Sequence, residues 1–320
     1  MKTKEHILIE IAKLGFILQS AGYANEQEAE KGNYQWQYLT LPMDNHKLQN
    51  SPFYYLKGKD FIHFTGVEGF YGMLNSKHIR LYNLVNMDDK HELTYALNEL
   101  SFPENDEVIK SKEEIFCLSM CSFPEIDADE AKEHLLWKLY GKDGNGVMIR
   151  LHFENNYQQW YQYHISQVYY DLATAAPIKE LHAVAPEIFL DPKVSCFFKR
   201  PIFKFEEEVR LIFDKREKVS VTVTDNKSKV VYPITYPDKL SSNANIRYFQ
   251  LPLGNFHDGT PDFYHAPNMV NRNYEIPIIK IREIILGYRF SENQEESIRK
   301  RLKEIDTTIE VRRTKLSAYY

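Results

Sequence analysis

One stretch constrains the fold more than any other: Phe203 to Phe213, Phe-Lys-Phe-Glu-Glu-Glu-Val-Arg-Leu-Ile-Phe. Side chains on a strand alternate between faces. Phe203, Phe205, Val209, Leu211 and Phe213 therefore fall on one side, and that side is expected to meet a core. Glu206, Glu208 and Arg210 share the other side, neighbours spaced roughly 7 Å apart along the strand. Two carboxylates and a guanidinium held on a firm strand can support chemistry in which charge develops. The plainer alternative is the solvated face of an edge strand, with Arg210 balancing charge. The residues favour that alternative somewhat.

The rest of the chain supplies strands and helices to pack around this one. Asp60–Thr65, His78–Tyr82, Ile115–Met120, Val147–Phe153, Lys229–Ile234, Ile246–Leu251, Pro277–Leu286 and Ile309–Arg313 read as strands. Ile7, Ile11, Leu14 and Leu18 recur at helical spacing, with Gly22 able to end the helix, so the N-terminus reads as a packed amphipathic helix and not a signal peptide. Gly66–Ser76 suits a short helix. Asp127 can cap another, with Ala131, Leu135 and Leu139 on one face and Gly141 at its end. Ser291–Gln294 is a capping box opening a last helix that turns Ile298, Leu302 and Ile305 inward. Strands outnumber helices without the regular alternation of a doubly wound sheet. The expected class is α+β, with mixed, mostly antiparallel sheets and flanking helices. An N-terminal helical extension is expected over residues 1–55 and the catalytic domain over 56–320.

Composition narrows the function classes. Of 320 residues, 43% are hydrophobic and 27% charged, which fits a folded chain and not a disordered one. A net charge of −5 gives no overall basic balance for duplex DNA, so a nucleic-acid substrate would need a local groove. Three cysteines are too few for a disulfide scaffold and point to a reducing compartment, the cytoplasm. No segment is long and apolar enough to span a bilayer, so no membrane partner is expected.

Other segments carry functional residue types. His63 and Thr65 share a face of the first strand and could hydrogen-bond ribose hydroxyls or an amide edge, although a core histidine satisfied by a carbonyl is the commoner case. Cys117, Ser119 and Cys121 share a small-residue face that a ligand could approach. They make a poor zinc site, because no histidine pair completes the set. Gly141–Gly146 follows a helix and precedes a strand, the reverse of a phosphate loop, and reads as a helix end plus an Asn-Gly turn. The basic run Arg299–Lys303 is largely explained by ion pairs to Glu295 and Glu296 on the helix surface.

Taken in order, these segments resemble a bacterial family, the domain-of-unknown-function family twenty-nine seventy-one. The resemblance covers roughly residues 60–320. Its members carry His-Tyr-Thr, then Asn-Asp-Pro-x-x-Glu, Cys-Phe-Ser, Leu-Met-Trp-x-x-Tyr with Gly-Val-x-Ile-x-Phe, and Tyr-Glu-x-Glu-x-Arg. The counterparts here are His63-Phe64-Thr65, Asn86 to Glu92, Phe116 to Ser119, Leu135 to Tyr140 with Gly146 to Phe153, and Phe205 to Arg210. Ile284 to Gly287 and Val311 to Thr314 complete the series. Phe64 replaces the tyrosine, and the Asn-Asp-Pro element lacks its proline.

The strand order of that family is similar to the ADP-ribosyltransferase fold. The resemblance implies NAD as co-substrate, no metal, and transfer of ADP-ribose to RNA, DNA or protein, nucleic acid favoured. The setting would be a toxin, with an antitoxin partner, or an antiviral defence effector. It implies Glu208 as the catalytic carboxylate, with Glu206 second and Arg210 steadying Glu208 or meeting pyrophosphate. His63 and Thr65 would hold the adenosine ribose and nicotinamide amide. Tyr82 or Tyr140 would stack on nicotinamide, Ser119 would support the carboxylate, and Asn86 and Trp137 would line the pocket. The alternatives are an NAD glycohydrolase, a metal-dependent hydrolase using Glu206, Glu208, Asp88 and Asp89, and a non-catalytic sensor module.

Overall fold

Val209 and Leu211 point one way from their strand, and Arg210 and Ile212 point the other, yet all four are buried. A strand covered on both faces belongs inside a sheet, and it does so in the computed structural model. The structure describes residues 4–18, 20–23, 36–40, 45–86, 92–99, 110, 112–123, 126, 128–170, 176–215, 246–256, 265–269, 272–305 and 308–320. The expected strand Lys229–Ile234 lies outside them, as do Asp88 and Asp89.

The described helices are α1 (Lys4–Lys13), α2 (Val67–Ser76), α3 (Glu92–Glu99), α4 (Glu130–Leu139), α5 (Ala176–Val184), α6 (Pro192–Ser195) and α7 (Glu292–Ile305). The strands are β1 (Ser20–Tyr23), β2 (Trp36–Thr40), β3 (Asp60–Thr65), β4 (His78–Asn83), β5 (Ile115–Ser122), β6 (Val147–Phe153), β7 (Tyr163–Gln167) and β8 (Glu208–Asp214), followed by β9 (Tyr248–Pro252), β10 (His265–Met269), β11 (Arg272–Glu275), β12 (Ile279–Leu286) and β13 (Glu310–Arg313). Strands β1 and β2 form one hairpin and β10 and β11 another, while nine strands make the main sheet. One path through it runs β13-β12-β6-β3-β5-β4-β9, with β8 on β5 and β7 on β8. Its pairings are antiparallel except β12 with β13. The fold is thus mixed α and β, with a mostly antiparallel sheet and flanking helices. Among the described residues, no helix is long and apolar enough to cross a membrane.

The sheet has a core on each face. The larger one gathers Phe61, Leu118, Met120, Ile149, Leu151, Val209 and Leu211 under Phe70 and Leu74 of α2. Ile11, Phe16, Leu48 and Phe53 join the same cluster, so part of the N-terminal extension packs directly on it. The smaller core sets Ile62, Cys121, Met148 and Ile285 against Leu136 and Trp137 of α4.

Several expectations need correcting. Helix α1 stops at Lys13 and not near Gly22. Gly15 takes φ +87°, and a Cβ there would sit 2.0 Å from the Asn50 carbonyl oxygen, so the chain can turn there only because it has no side chain. Helix α4 is capped by Asp129, whose carboxylate accepts from the Lys132 N–H at 3.0 Å. Its buried face is Glu133, Leu136 and Trp137, while Leu135 and Leu139 are exposed. The large indole takes the sheet-facing position, and Glu133 can be buried because it accepts from the Trp137 Nε1–H at 3.0 Å and from the Thr314 hydroxyl. The capping box at Ser291 forms as read: the Ser291 N–H donates to Gln294 Oε1 at 3.1 Å, and the Gln294 N–H to Ser291 Oγ at 3.3 Å.

Candidate functional site

The expected strand from Phe203 begins only at Glu208. Pro201 opens a 3-10 turn that runs to Glu206, and Glu207 sits at φ 44°, ψ 48°, which breaks the extended path. Phe205 consequently packs beside Cys121 in the smaller core and not alongside Val209. The turn has a chemical result: it folds Glu206 back onto the face of β8 that carries Glu208.

That face holds a closed ionic cluster. Lys199 Nζ donates to Glu206 Oε2 at 2.7 Å and to Glu208 Oε2 at 2.9 Å. Arg210 donates to Glu208 through Nε at 2.8 Å and Nη2 at 3.1 Å, and its Nη1 reaches the Cys196 carbonyl. Ser119, across from Arg210 in the ladder with β5, also favours the charged form of the Glu208 carboxylate. The Tyr140 hydroxyl donates to Glu206 Oε1. Glu206 and Glu208 are each 3% exposed and Arg210 0%. The edge-strand alternative is therefore excluded: β8 is bonded on both sides, by β5 and β7.

The surroundings drive the two carboxyls apart. Burial favours the neutral form of Glu208, but the charges of Arg210 and Lys199 and the bonds from Arg210 and Ser119 outweigh it and hold the carboxyl down to about 2. Glu206 moves the other way: burial, helped by the neighbouring Glu208 charge, raises it despite Lys199 and Tyr140. A carboxylate offers about four lone-pair sites. Glu208 takes three bonds, one from Lys199 and two from Arg210, whereas Glu206 takes two, from Lys199 and Tyr140.

Register shows how the other residues relate to this cluster, because cross-strand partners share a face. Cys121 pairs with Glu208, Ser119 with Arg210 and Cys117 with Ile212. Tyr82 pairs with Cys117, so it lies on the Glu208 face, two rows or roughly 13 Å along β5 from Glu208. Its ring is 37% exposed. Ile62, and not His63, is the β3 residue across from Cys121.

His63 instead occupies a fork. Strand β3 holds one edge of β5 at Cys121 and Ser122, and β4 holds the same edge at Phe116 and Cys117. Ser119 lies between the branches, and its carbonyl meets His63 Nδ1 at 3.0 Å. A carbonyl only accepts, so Nδ1 carries the proton and Nε2 keeps a lone pair. Burial lowers the imidazole pKa, opposed by the Ser119 bond, and the ring is neutral at pH 7. Ser119 meets His63 through its carbonyl, but alternation sends the His63 side chain to the larger-core face with Phe61, opposite the face of Glu208, so the two expected site residues are not brought into one cleft.

The remaining expected residues divide. Tyr140 reaches Glu206, with its ring 42% exposed. Thr65 packs against α2, where a Cβ on Gly69 would lie 2.5 Å from Thr65 Oγ1. Trp137 lines no opening; it is fully buried, edge-on to Phe64 at 5.1 Å. Asn86 ends a short 3-10 turn, and its side chain lies outside the described set. Lys199 is the residue that sequence reasoning missed. The signal for it was chemical: Val209 to Phe213 is apolar on both faces around Arg210, so an interior strand is implied, and interior carboxylates need an internal cation.

No protein-family model, curated protein or solved structure matches this chain.

Proposed function

We propose that the chain cleaves the nicotinamide–ribose bond of NAD and transfers ADP-ribose to a macromolecular acceptor, RNA or DNA in preference to protein. The observation that carries this is the pair Glu206 and Glu208, bridged by one lysine and tuned in opposite directions. Two carboxyls pushed apart in pKa are how one site supplies both a fixed negative charge and a proton acceptor. Cleavage of a glycosidic bond through an oxocarbenium-like transition state calls for both.

We read a division of labour that differs from the one the resemblance implies. Glu208, held ionised by Arg210 and Lys199, is the fixed charge, uncovered when Lys199 is drawn away. Glu206 is the proton acceptor, reaching solvent through Tyr140. Tyr82 offers an exposed ring on the Glu208 face, whereas His63 alternates to the opposite face with Phe61 and is left out of the nicotinamide contacts. The order of the sequence motifs and the mostly antiparallel sheet fit the same reading, as do restraint by an antitoxin and a role as a toxin or antiviral defence effector. A metal-dependent use of Glu206 and Glu208 fits less well, because the Lys199 ammonium stands between the two carboxylates.

A second reading rests on the pairing of Glu208 with both Arg210 and Lys199: a neutral cluster of two acids and two bases clamps β8 in a catalytically silent binding module. Labelled NAD incubated with separate pools of RNA, DNA and protein distinguishes the two. Nicotinamide release with label on one pool, lost in Glu206→Gln while the unfolding midpoint is kept, supports transfer. Nicotinamide release without any acceptor points to a glycohydrolase. NAD left intact in every pool removes the enzymatic reading and leaves the clamp.

A further inference from the structure

Strand β12 has a fork of its own, far along the sheet path from the one at Ser119. Strand β13 pairs with it only from Glu283 to Leu286. Ahead of that, the loop after β9 takes the backbone. The Gly254 N–H donates to the Ile279 carbonyl at 2.8 Å. The Asn255 side chain accepts from the Ile281 N–H at 2.7 Å and donates to the Ile281 carbonyl at 3.0 Å. Between the loop and the end of α7 opens a cavity of about 510 Å³, lined by Gly254, Asn255, Lys280, Arg282, Lys303 and Thr308, among others.

The charge of this cavity is unbalanced. Glu154 is the one carboxylate paired with its cations among the described residues, lying 2.9 Å from Lys280 Nζ and 3.8 Å from Arg282 Nη2. Lys303 is exposed, and no described carboxylate pairs with it. Among the described residues, three cations against one anion leave an excess of positive charge in the concavity. The wall is built to keep them there. Both polar ends of the Asn255 amide lock the loop to Ile281. Arg282 stands at the irregularity between Ile281 and Glu283, where a bulge turns a side chain out of the ladder. A Cβ on Gly254 would meet Lys280 Cγ at 3.1 Å and Cε at 3.3 Å, so the missing side chain gives the lysine stem its path.

Arg forks and Lys ammoniums recognise phosphate oxygens, and a cavity of this size suits a compact ligand. None of its described lining residues is aromatic, and the described lining offers charge where base stacking would need a ring. We propose that the cavity binds a pair of adjacent phosphates, as in a pyrophosphate or two neighbouring phosphodiesters of a nucleic-acid strand. The proposal is independent of the NAD reading, because it shares no residue with the Glu206–Glu208 cluster.

Titration of the full chain with inorganic pyrophosphate and, separately, with a fluorescent single-stranded oligothymidylate tests it. The unfolding midpoint of each variant is recorded beside the titration. Binding of either probe should weaken about tenfold in Lys303→Glu and again in Arg282→Glu, and should weaken with salt. Lys57→Glu makes the same charge change at an exposed residue outside the cavity and should leave binding unchanged. Binding of pyrophosphate alone assigns a small phosphate ester. Binding of the oligonucleotide, competed by pyrophosphate, assigns a nucleic-acid backbone. If neither probe binds, or Lys57→Glu weakens binding as much as Lys303→Glu does, the proposal falls.

Discussion

Replacing Arg210 with methionine probes the cluster most directly. Arg210 is fully buried and gives Glu208 two hydrogen bonds, at 2.8 and 3.1 Å. With it, two carboxylates face two cations and the cluster is neutral. Without it, Lys199 alone faces Glu206 and Glu208, and one buried negative charge is uncompensated. Breaking a buried pair on one side typically costs about 3–5 kcal/mol. Folded domains hold about 5–15 kcal/mol in all, so Arg210→Met should sit near the edge of stability at neutral pH.

The chain can relieve the charge by taking up a proton, and that gives the prediction its sign. In the wild type Glu208 is held down to about 2, so its contribution is fully present above the unfolded carboxyl value and is lost as pH falls toward 2. In the variant burial prevails, and the folded carboxyl lies above its unfolded value of about 4.3. A group of that kind adds stability as pH falls through its folded pKa. The gap between variant and wild type should therefore narrow between about pH 7.5 and about pH 5, by up to about 1.4 kcal/mol per unit. Urea unfolding followed by tryptophan fluorescence at the two pH values measures it. Glu208→Leu combined with Arg210→Met restores neutrality and should cost less than Arg210→Met alone. A loss below about 1 kcal/mol, an equal loss at both pH values, or a double variant worse than the single would refute the account of the cluster.

Two further outcomes follow from the bonding. Tyr140 and Lys199 both pull the Glu206 carboxyl down against burial. Tyr140→Phe removes one of those bonds, worth about 1 kcal/mol or less in stability, and should raise Glu206 further. On the NAD reading the acidic limb of nicotinamide release then moves to higher pH, and a profile that stays put removes Glu206 as the base. His63, half-buried and bonded to the Ser119 carbonyl, should titrate by NMR below the usual value of about 6.5. Its contribution to stability is then held above that value and declines as pH falls through it. A resonance titrating at or above it would contradict the bonding at the fork.

Alternation made part of this legible before any coordinates. The small-residue face of β5 and the acidic face of β8 are where the period-two pattern puts them, and their partners in register are each other: Ser119 with Arg210, Cys121 with Glu208. What alternation cannot convey is how strands divide. That Cys121 and Phe116 lie on one edge of β5 under two different neighbours depends on pairings between residues up to 61 positions apart, and no local pattern encodes them. Helix α4 failed for a different reason. Leu135 and Leu139 look like a core face, but the sheet took the indole of Trp137, with Glu133 buried as its partner. Burial of a carboxylate is decided by its hydrogen bonds, which are tertiary, and not by its hydropathy.

Lys199 unites the stability of the cluster with any chemistry it performs. A neutral cluster exerts little field on a nearby ribose, so two acids paired with two bases cannot by themselves favour a developing positive charge. The field appears only when one of the cations is drawn elsewhere. Arg210 is locked to the Cys196 carbonyl as well as to Glu208 and is fully buried. Lys199 is the more exposed of the two, at 9%, and each of its bonds to the carboxylates is made by a single flexible ammonium. An anionic substrate such as a pyrophosphate would compete for that ammonium first. On the NAD reading proposed above, its departure would leave two carboxylates facing one guanidinium, with negative charge uncovered where an oxocarbenium-like transition state needs it.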